Sequence, residues 1–252
     1  MIAALAALAV AAAPCTLPPV ESGSRPWRAG ESLAWDVDVM GIATAGTIEA
    51  SVDRPAAGLV PVRVRVKNTS VFAKVRNIRG VATSWIDGAT LLPRRYRDET
   101  NESGLRRTTE VRFDEEGPHL RLAWSIGEKR GVRELDRTGE AMDLISLVYY
   151  LRAAELTSGE PFCVELVANR RYWRLEGEMA KEREQVTTPA GTFEALRVDA
   201  TLTREATPED PRVRSRPLHL WYSDDERRVP VAAVTEVDLG PVRALLSRGA
   251  GR

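Results

Sequence analysis

The most constraining feature of this sequence is polarity that repeats every second residue. From Val60 to Lys67, Val60, Val62, Val64 and Val66 alternate with Pro61, Arg63, Arg65 and Lys67. A helix would scatter those valines around its circumference, whereas a pleated strand puts all four on one face, so the segment predicts a strand with one dry and one wet side. Leu33 to Val39 carries apolar residues at its odd positions, and Thr47 to Asp53 turns Ile48, Ala50 and Val52 the same way. Strand signals continue at Val71 to Arg76, Gly80 to Ile86, Leu105 to Phe113, His119 to Ile126, Phe162 to Ala168, Tyr172 to Gln185, Phe193 to Arg204, Arg216 to Tyr222 and Val229 to Leu239. Turn chemistry separates several of them: Asp87-Gly88, Glu115-Glu116-Gly117-Pro118, Thr188-Pro189-Ala190-Gly191 and Asp224-Asp225-Glu226-Arg227. Strands joined by short turns predict an antiparallel meander, because parallel βαβ units need long helical crossovers.

One segment breaks the period. Between Glu140 and Leu156, Leu144, Leu147, Val148 and Leu151 recur at helical spacing, and Ile145 and Tyr149 widen the apolar stripe. Asp143 stands at the helix start and Ser158-Gly159 at its end. A helix apolar over so much of its surface belongs inside the fold. The sequence therefore predicts a mainly β protein: a strongly curved antiparallel sheet of about ten or more strands, a half-barrel or wide barrel, with one apolar helix near 141–156 on its concave side.

With 43% hydrophobic residues, the 252-residue chain can bury a sizeable core in one all-β domain. The run Met1 to Ala13 has the length and small-residue character of a secretion signal's apolar region. We assign 1–13 to a signal peptide, 14–30 to an extended Pro-rich arm and 31–248 to a single β-rich domain. The protein is expected to be exported, to the periplasm or the outer-membrane surface, with no transmembrane span in the mature chain. The two cysteines, Cys15 and Cys163, suit a disulfide in that compartment; two free thiols, or lipidation of Cys15, are the alternatives.

Equal numbers of basic and acidic residues, 36 each, give no electrostatic reason to expect a nucleic acid or an anionic membrane as partner. The sequence lacks a nucleophile elbow, a dinucleotide fingerprint and a P-loop. Its two histidines, His119 and His219, sit in strand-like contexts without a cysteine pair nearby, so no zinc site, other metal site or cofactor is expected. Ser146 or Ser223 would have to join a histidine for a serine triad, and no spacing favours that. Ser223-Asp224-Asp225-Glu226 reads as a hairpin turn rather than a calcium loop. Trp35, Trp85 and Trp124 lie in strands, where they fill a core or, together with Leu144, Val148 and Tyr149 of the helix, line an apolar cavity.

Four stretches taken together resemble a bacterial envelope family known as domain of unknown function 3108. They are Gly30-Glu31-Ser32-Leu33-Ala34-Trp35 with the following Gly41 to Gly46, Asp143 to Arg152, Thr188 to Ala195, and Leu220 to Val231. The opening aromatic is Trp35 where the family pattern has tyrosine. The resemblance implies an exported, β-rich protein of unassigned activity and transfers no catalytic residue. The Thr-Pro-Ala-Gly turn and the Trp-x-Ser-Asp hairpin are also similar to half-barrel lipoprotein carriers, a fold-level analogy. Three functions follow as expectations: a non-catalytic envelope protein acting through surface interactions or structure, with an envelope protein as partner; a binding module carrying a lipid or other apolar ligand in the concave face of the sheet; and, least favoured, a hydrolase of unknown substrate.

Overall fold

The computed structural model describes residues 15–20, 25–39, 41, 43–113, 117, 119–137, 139–204, 206, 211–237 and 240–249. The signal-peptide assignment at 1–13 lies outside these residues, as does most of the turn at 115–118. Eight strands come first: β1 (Ser32–Val39), β2 (Ala43–Val52), β3 (Leu59–Asn68), β4 (Ile78–Asp87), β5 (Pro93–Glu102), β6 (Leu105–Arg112), β7 (His119–Ile126) and β8 (Lys129–Asp136). The short helix α1 (Ser70–Ala73) links β3 to β4. After β8 come β9 (Ala141–Met142), the helix α2 (Leu144–Ala153), and β10 (Pro161–Ala168), β11 (Arg171–Thr188), β12 (Gly191–Arg204), β13 (Arg214–Ser223), β14 (Pro230–Val237) and β15 (Gly240–Arg248).

All fifteen strands form one curved, unclosed sheet in the order β8-β7-β6-β5-β4-β3-β2-β1-β15-β14-β13-β12-β11-β10-β9. The chain starts mid-sheet and meanders to the β8 edge. It then crosses to the opposite edge at β9 and meanders back until β15 pairs with β1, with Trp35 opposite Leu246. Every pairing is antiparallel except β9 with β10. The open seam therefore lies between strands that are neighbours in sequence. It is bridged by side chains rather than by backbone hydrogen bonds: Val111, Phe113, Leu120 and Leu122 pack with Ala141 and Val167 in one cluster.

The alternating valines explain the curvature's dry side. Val60 and Val62 are 4% and 0% exposed and face inward, while Arg65 and Lys67 point to solvent. Helix α2 fills the concave space. Leu147 and Leu151 share a cluster with Val52, Val60, Val62 and Ile86 on one side and Val164, Leu166, Leu175, Val198 and Leu220 on the other. Each such side chain, fully buried, contributes about 1.5–3 kcal/mol. At the other end, β11 and β12 outrun their neighbours. A bulge between Met179 and Arg183 bends the hairpin, and its tip is tied to β15 by Ala190 N–H donating to the Leu246 carbonyl at 3.0 Å. Beneath it Leu33, Trp35, Ala50, Ala195, Val231 and Leu246 form a second buried cluster.

One strand expectation fails. Residues 71–76 do not form a strand; Thr69 begins the helical turn α1, and Val71 and Val75 are 70% and 90% exposed. The chain must reverse here, and Asn68 Oδ1 accepts from Ile78 N–H across the reversal, so local turn bonding overrides β-branched propensity.

Candidate functional site

The residues expected to line an interior cavity do not converge on one space. Trp35 is buried in the second cluster, where its indole N–H donates to the Pro230 carbonyl at 2.7 Å. Trp85 faces outward because its neighbours Ser84 and Ile86 take the inward positions at 0% and 1% exposure; Arg95 lies over its ring. Trp124 packs at the seam with Arg170 over it. Leu144, in the first turn of α2, is 49% exposed at the rim. Only Val148 and Tyr149 sit in the central cluster, and the Val148 carbonyl accepts from the Tyr222 hydroxyl at 3.2 Å.

What does converge is a set of charged residues drawn from three of the family-like stretches. Arg152, 1% exposed, donates to both carboxylate oxygens of Glu31 at 2.6 and 2.9 Å. Its guanidinium also donates to the Arg227 carbonyl at 3.0 Å and lies over the rings of Trp27 and Tyr149. Arg228 donates to the Ala154 carbonyl at the end of α2. Glu31 comes from the junction of the arm with β1, Arg152 from the last turn of the helix, and Arg227 and Arg228 from the β13–β14 turn. The arrangement is a bolt: it fixes the arm across the mouth of the sheet and holds α2 inside.

The arm is fastened twice more. Cys15 and Cys163 form a disulfide, which settles the alternatives left open for Cys15. The Tyr150 hydroxyl donates to the Pro18 carbonyl at 2.8 Å, and Glu155 N–H donates to the Pro19 carbonyl at 2.8 Å.

At the opposite end of α2, Asp143 serves as the N-cap. Its Oδ1 accepts from Ile145 and Ser146 N–H, Ser146 Oγ accepts from Asp143 N–H, and Ser84 Oγ donates to Oδ2 at 2.6 Å. Burial pushes the Asp143 carboxyl above its ordinary value, against the lowering effect of these hydrogen bonds. A raised folded-state pKa contributes stability that is fully present below the unfolded value and is lost as pH rises through the folded one. Asp143→Ala should therefore destabilise by about 2 kcal/mol, by loss of the cap and of Ser84's partner. The loss in urea unfolding should be larger at pH 4 than at pH 7; the reverse order would refute this account.

The other polar candidates are engaged in turns and surface pairs. Ser146 Oγ belongs to the capping box, and Ser223 Oγ donates to Asp225, whose carboxylate also accepts from Arg227 and Arg228 N–H. His119 of β7 pairs with Asp136, and His219 pairs with Asp199; His219 shares β13 with Ser223 but stands four residues from it, and each of the two is bonded to a different acid. No group of three metal-ligating side chains occurs among the described residues.

A depression of about 650 Å³ lies elsewhere, on the sheet face over β2–β5. Its lining alternates with the core positions: Glu49 from β2, Arg65 and Lys67 from β3, Arg79, Val81 and Trp85 from β4, Arg97, Glu99 and Asn101 from β5. Val81, 42% exposed, stands at its centre.

No curated protein matches the sequence. Among solved structures, a beta-barrel-like protein with a domain of unknown function (DUF1849) from Brucella abortus superposes with a TM-score of 0.56 at 10% identity, covering 87% of this chain and 96% of its own. A candidate lipoprotein from Parabacteroides distasonis aligns over 90% of this chain and 98% of its own at 10% identity, with a TM-score of 0.40. A candidate exported protein with a YmcC-like fold from Bacteroides fragilis covers the same shares at 10% identity, with a TM-score of 0.36. The first likeness supports the barrel-like fold and nothing beyond it. The profile of the family described as protein of unknown function (DUF3108) matches residues 34–247. The chain belongs to that family.

Proposed function

We propose that this chain is a non-catalytic protein of the bacterial envelope that works through its outer surface, its interior being given over to stability. The observation that carries this reading is the filling of the concave face: Leu147, Val62, Val164 and Leu175 are all 0% exposed and pack on one another across α2. A carrier of acyl chains needs an apolar cavity of about 300 Å³ or more, and here helix side chains occupy that volume. Export to the periplasm or outer-membrane surface is supported by the apolar run at 1–13 and by the disulfide, which requires an oxidising compartment.

Native mass spectrometry after mild purification tests the proposal. The expected result is the mass of the bare, oxidised chain. A stoichiometric acyl-bearing adduct, retained when lysine and arginine of the outer depression are replaced, would mean that the interior opens to hold lipid and would end this reading.

A further inference from the structure

Four cations line the depression over β2–β5, and none of them has a carboxylate partner among the described residues: Arg65, Lys67, Arg79 and Arg97, all exposed. The nearby acids are committed elsewhere. Glu49 accepts from Arg248, Glu99 from Arg106, and Asp98 is held by the Tyr96 hydroxyl and Thr109. The register makes the excess costly, because Lys67 lies directly opposite Arg79 across the β3–β4 pair. Like charges facing each other across antiparallel strands destabilise a sheet; Glu49, opposite Arg65, and Glu99, opposite Val81, share this face but bond Arg248 and Arg106 instead. Arg65 lies opposite Val81, two positions along the ladder, and Arg97 opposite Thr83, so the cations surround Val81 over about 13 Å of strand.

From this geometry we infer that the outer depression binds a ligand bearing two or more phosphate groups. The inference rests on the proposal that the chain works through its outer surface. Phosphate suits the site better than a carboxylate segment does. Lys67 and Arg79 project from a single pair position, so their neutralisation calls for two negative charges at one point, which a phosphate monoester supplies and a single carboxylate does not. Arginine forks at Arg65 and Arg97 then take further phosphate oxygens, and Asn101 adds a neutral donor. The overall charge of zero conceals this patch, and Glu49 and Glu99, which share its face, are bonded to arginines outside the group of four.

Tripolyphosphate is the probe, with titration calorimetry at low salt on the full oxidised protein. Binding is expected to weaken at least about ten-fold in Lys67→Glu and in Arg97→Gln, and less than about two-fold in Arg121→Glu, an equal change of charge on the outer face of β7. Lys67→Glu has a second signature: it converts the opposed cations into an ion pair, so its thermal midpoint should rise by about 1–3 °C while binding falls. A merely structural role would lower both.

Vesicles distinguish the source of the phosphate. Sedimentation with phosphatidate but not phosphatidylcholine vesicles, reversed by tripolyphosphate, assigns a lipid headgroup; tripolyphosphate binding without sedimentation assigns a soluble phosphorylated compound. Either outcome upholds the site. Failure to bind tripolyphosphate, equal loss in Arg121→Glu, or equal affinity for a hexaglutamate peptide would overturn it. None of these failures touches the filled interior, which the mass measurement judges separately.

Discussion

Arg152→Met is expected to cost about 3–5 kcal/mol in urea unfolding, far more than a surface arginine would. Two charges are buried together here, with side-chain exposures of 0% for Arg152 and 3% for Glu31. Removing the cation leaves the Glu31 carboxylate in an apolar setting, with Arg227 at 3.9 Å as the remaining ion partner, and takes donors away from the Pro26 and Arg227 carbonyls. The partly exposed Arg227 moderates the loss, so the lower half of that range is the better target. One further outcome identifies the cause as an orphaned charge rather than lost packing. The double replacement Glu31→Leu/Arg152→Met should then recover much of the stability, since an apolar pair of similar volume commonly does no worse than a buried ion pair. If the double variant is as unstable as the sum of the singles, the bolt is held by its carbonyl contacts and ring stacking instead.

The same pair marks the limit of what could be read from the sequence. Glu31 and Arg152 each stand in a stretch that carries the family likeness, yet 121 positions separate them and no periodicity links them. One signal was present: Arg152 closes a helix that is otherwise apolar, and a lone charge in a buried helix calls for a partner. By contrast, β1 to β3 were legible because each buries one full face of alternating aliphatic residues. Strand β5 was not, because Pro-Arg-Arg-Tyr-Arg-Asp-Glu-Thr-Asn-Glu places Tyr96, Asp98 and Thr100 inward, and a strand whose inner face is polar shows no hydrophobic alternation. Strand β15 escaped notice because its strand signal merges with that of β14, and only the pairing with β1 makes it an element. The outer depression depends on register as well. Lys67 and Arg79 lie twelve residues apart in sequence, and their opposition exists only once the β3–β4 ladder is known. The helix was correctly placed by its period, but Leu144 belongs to the exposed first turn because Asp143 must reach Ser84 at the sheet and so fixes where α2 enters.

Loss of the Cys15–Cys163 link should have the largest effect on the whole fold. The bond spans 148 residues of sequence, enclosing β1 to β9 and helix α2 and tying the arm to the start of β10. In the chain-entropy view, a loop of that length withdraws about 5 kcal/mol of freedom from the unfolded chain, and removal of native disulfides costs about 2–5 kcal/mol in practice. The arm cannot replace that restraint by itself. Its non-covalent hold near Cys15 consists of the Tyr150 and Glu155 hydrogen bonds and a single bridge between Val20 and Ala154, each worth about 1 kcal/mol, and of Leu17 and Val20 packed on the central cluster, less the entropy of ordering the segment. Cys15→Ser/Cys163→Ser is therefore expected to lose about 3–5 kcal/mol and to melt about 8–15 °C lower, and reduction of the wild-type protein should reproduce the variant's melting curve. Tyr150→Phe, which removes one arm contact and keeps the crosslink, should lose about 1 kcal/mol. A double serine variant within 1 kcal/mol of the oxidised protein would show that the buried bolt at Glu31 and Arg152 alone fixes the arm, and that the crosslink restrains nothing the folded chain does not already restrain.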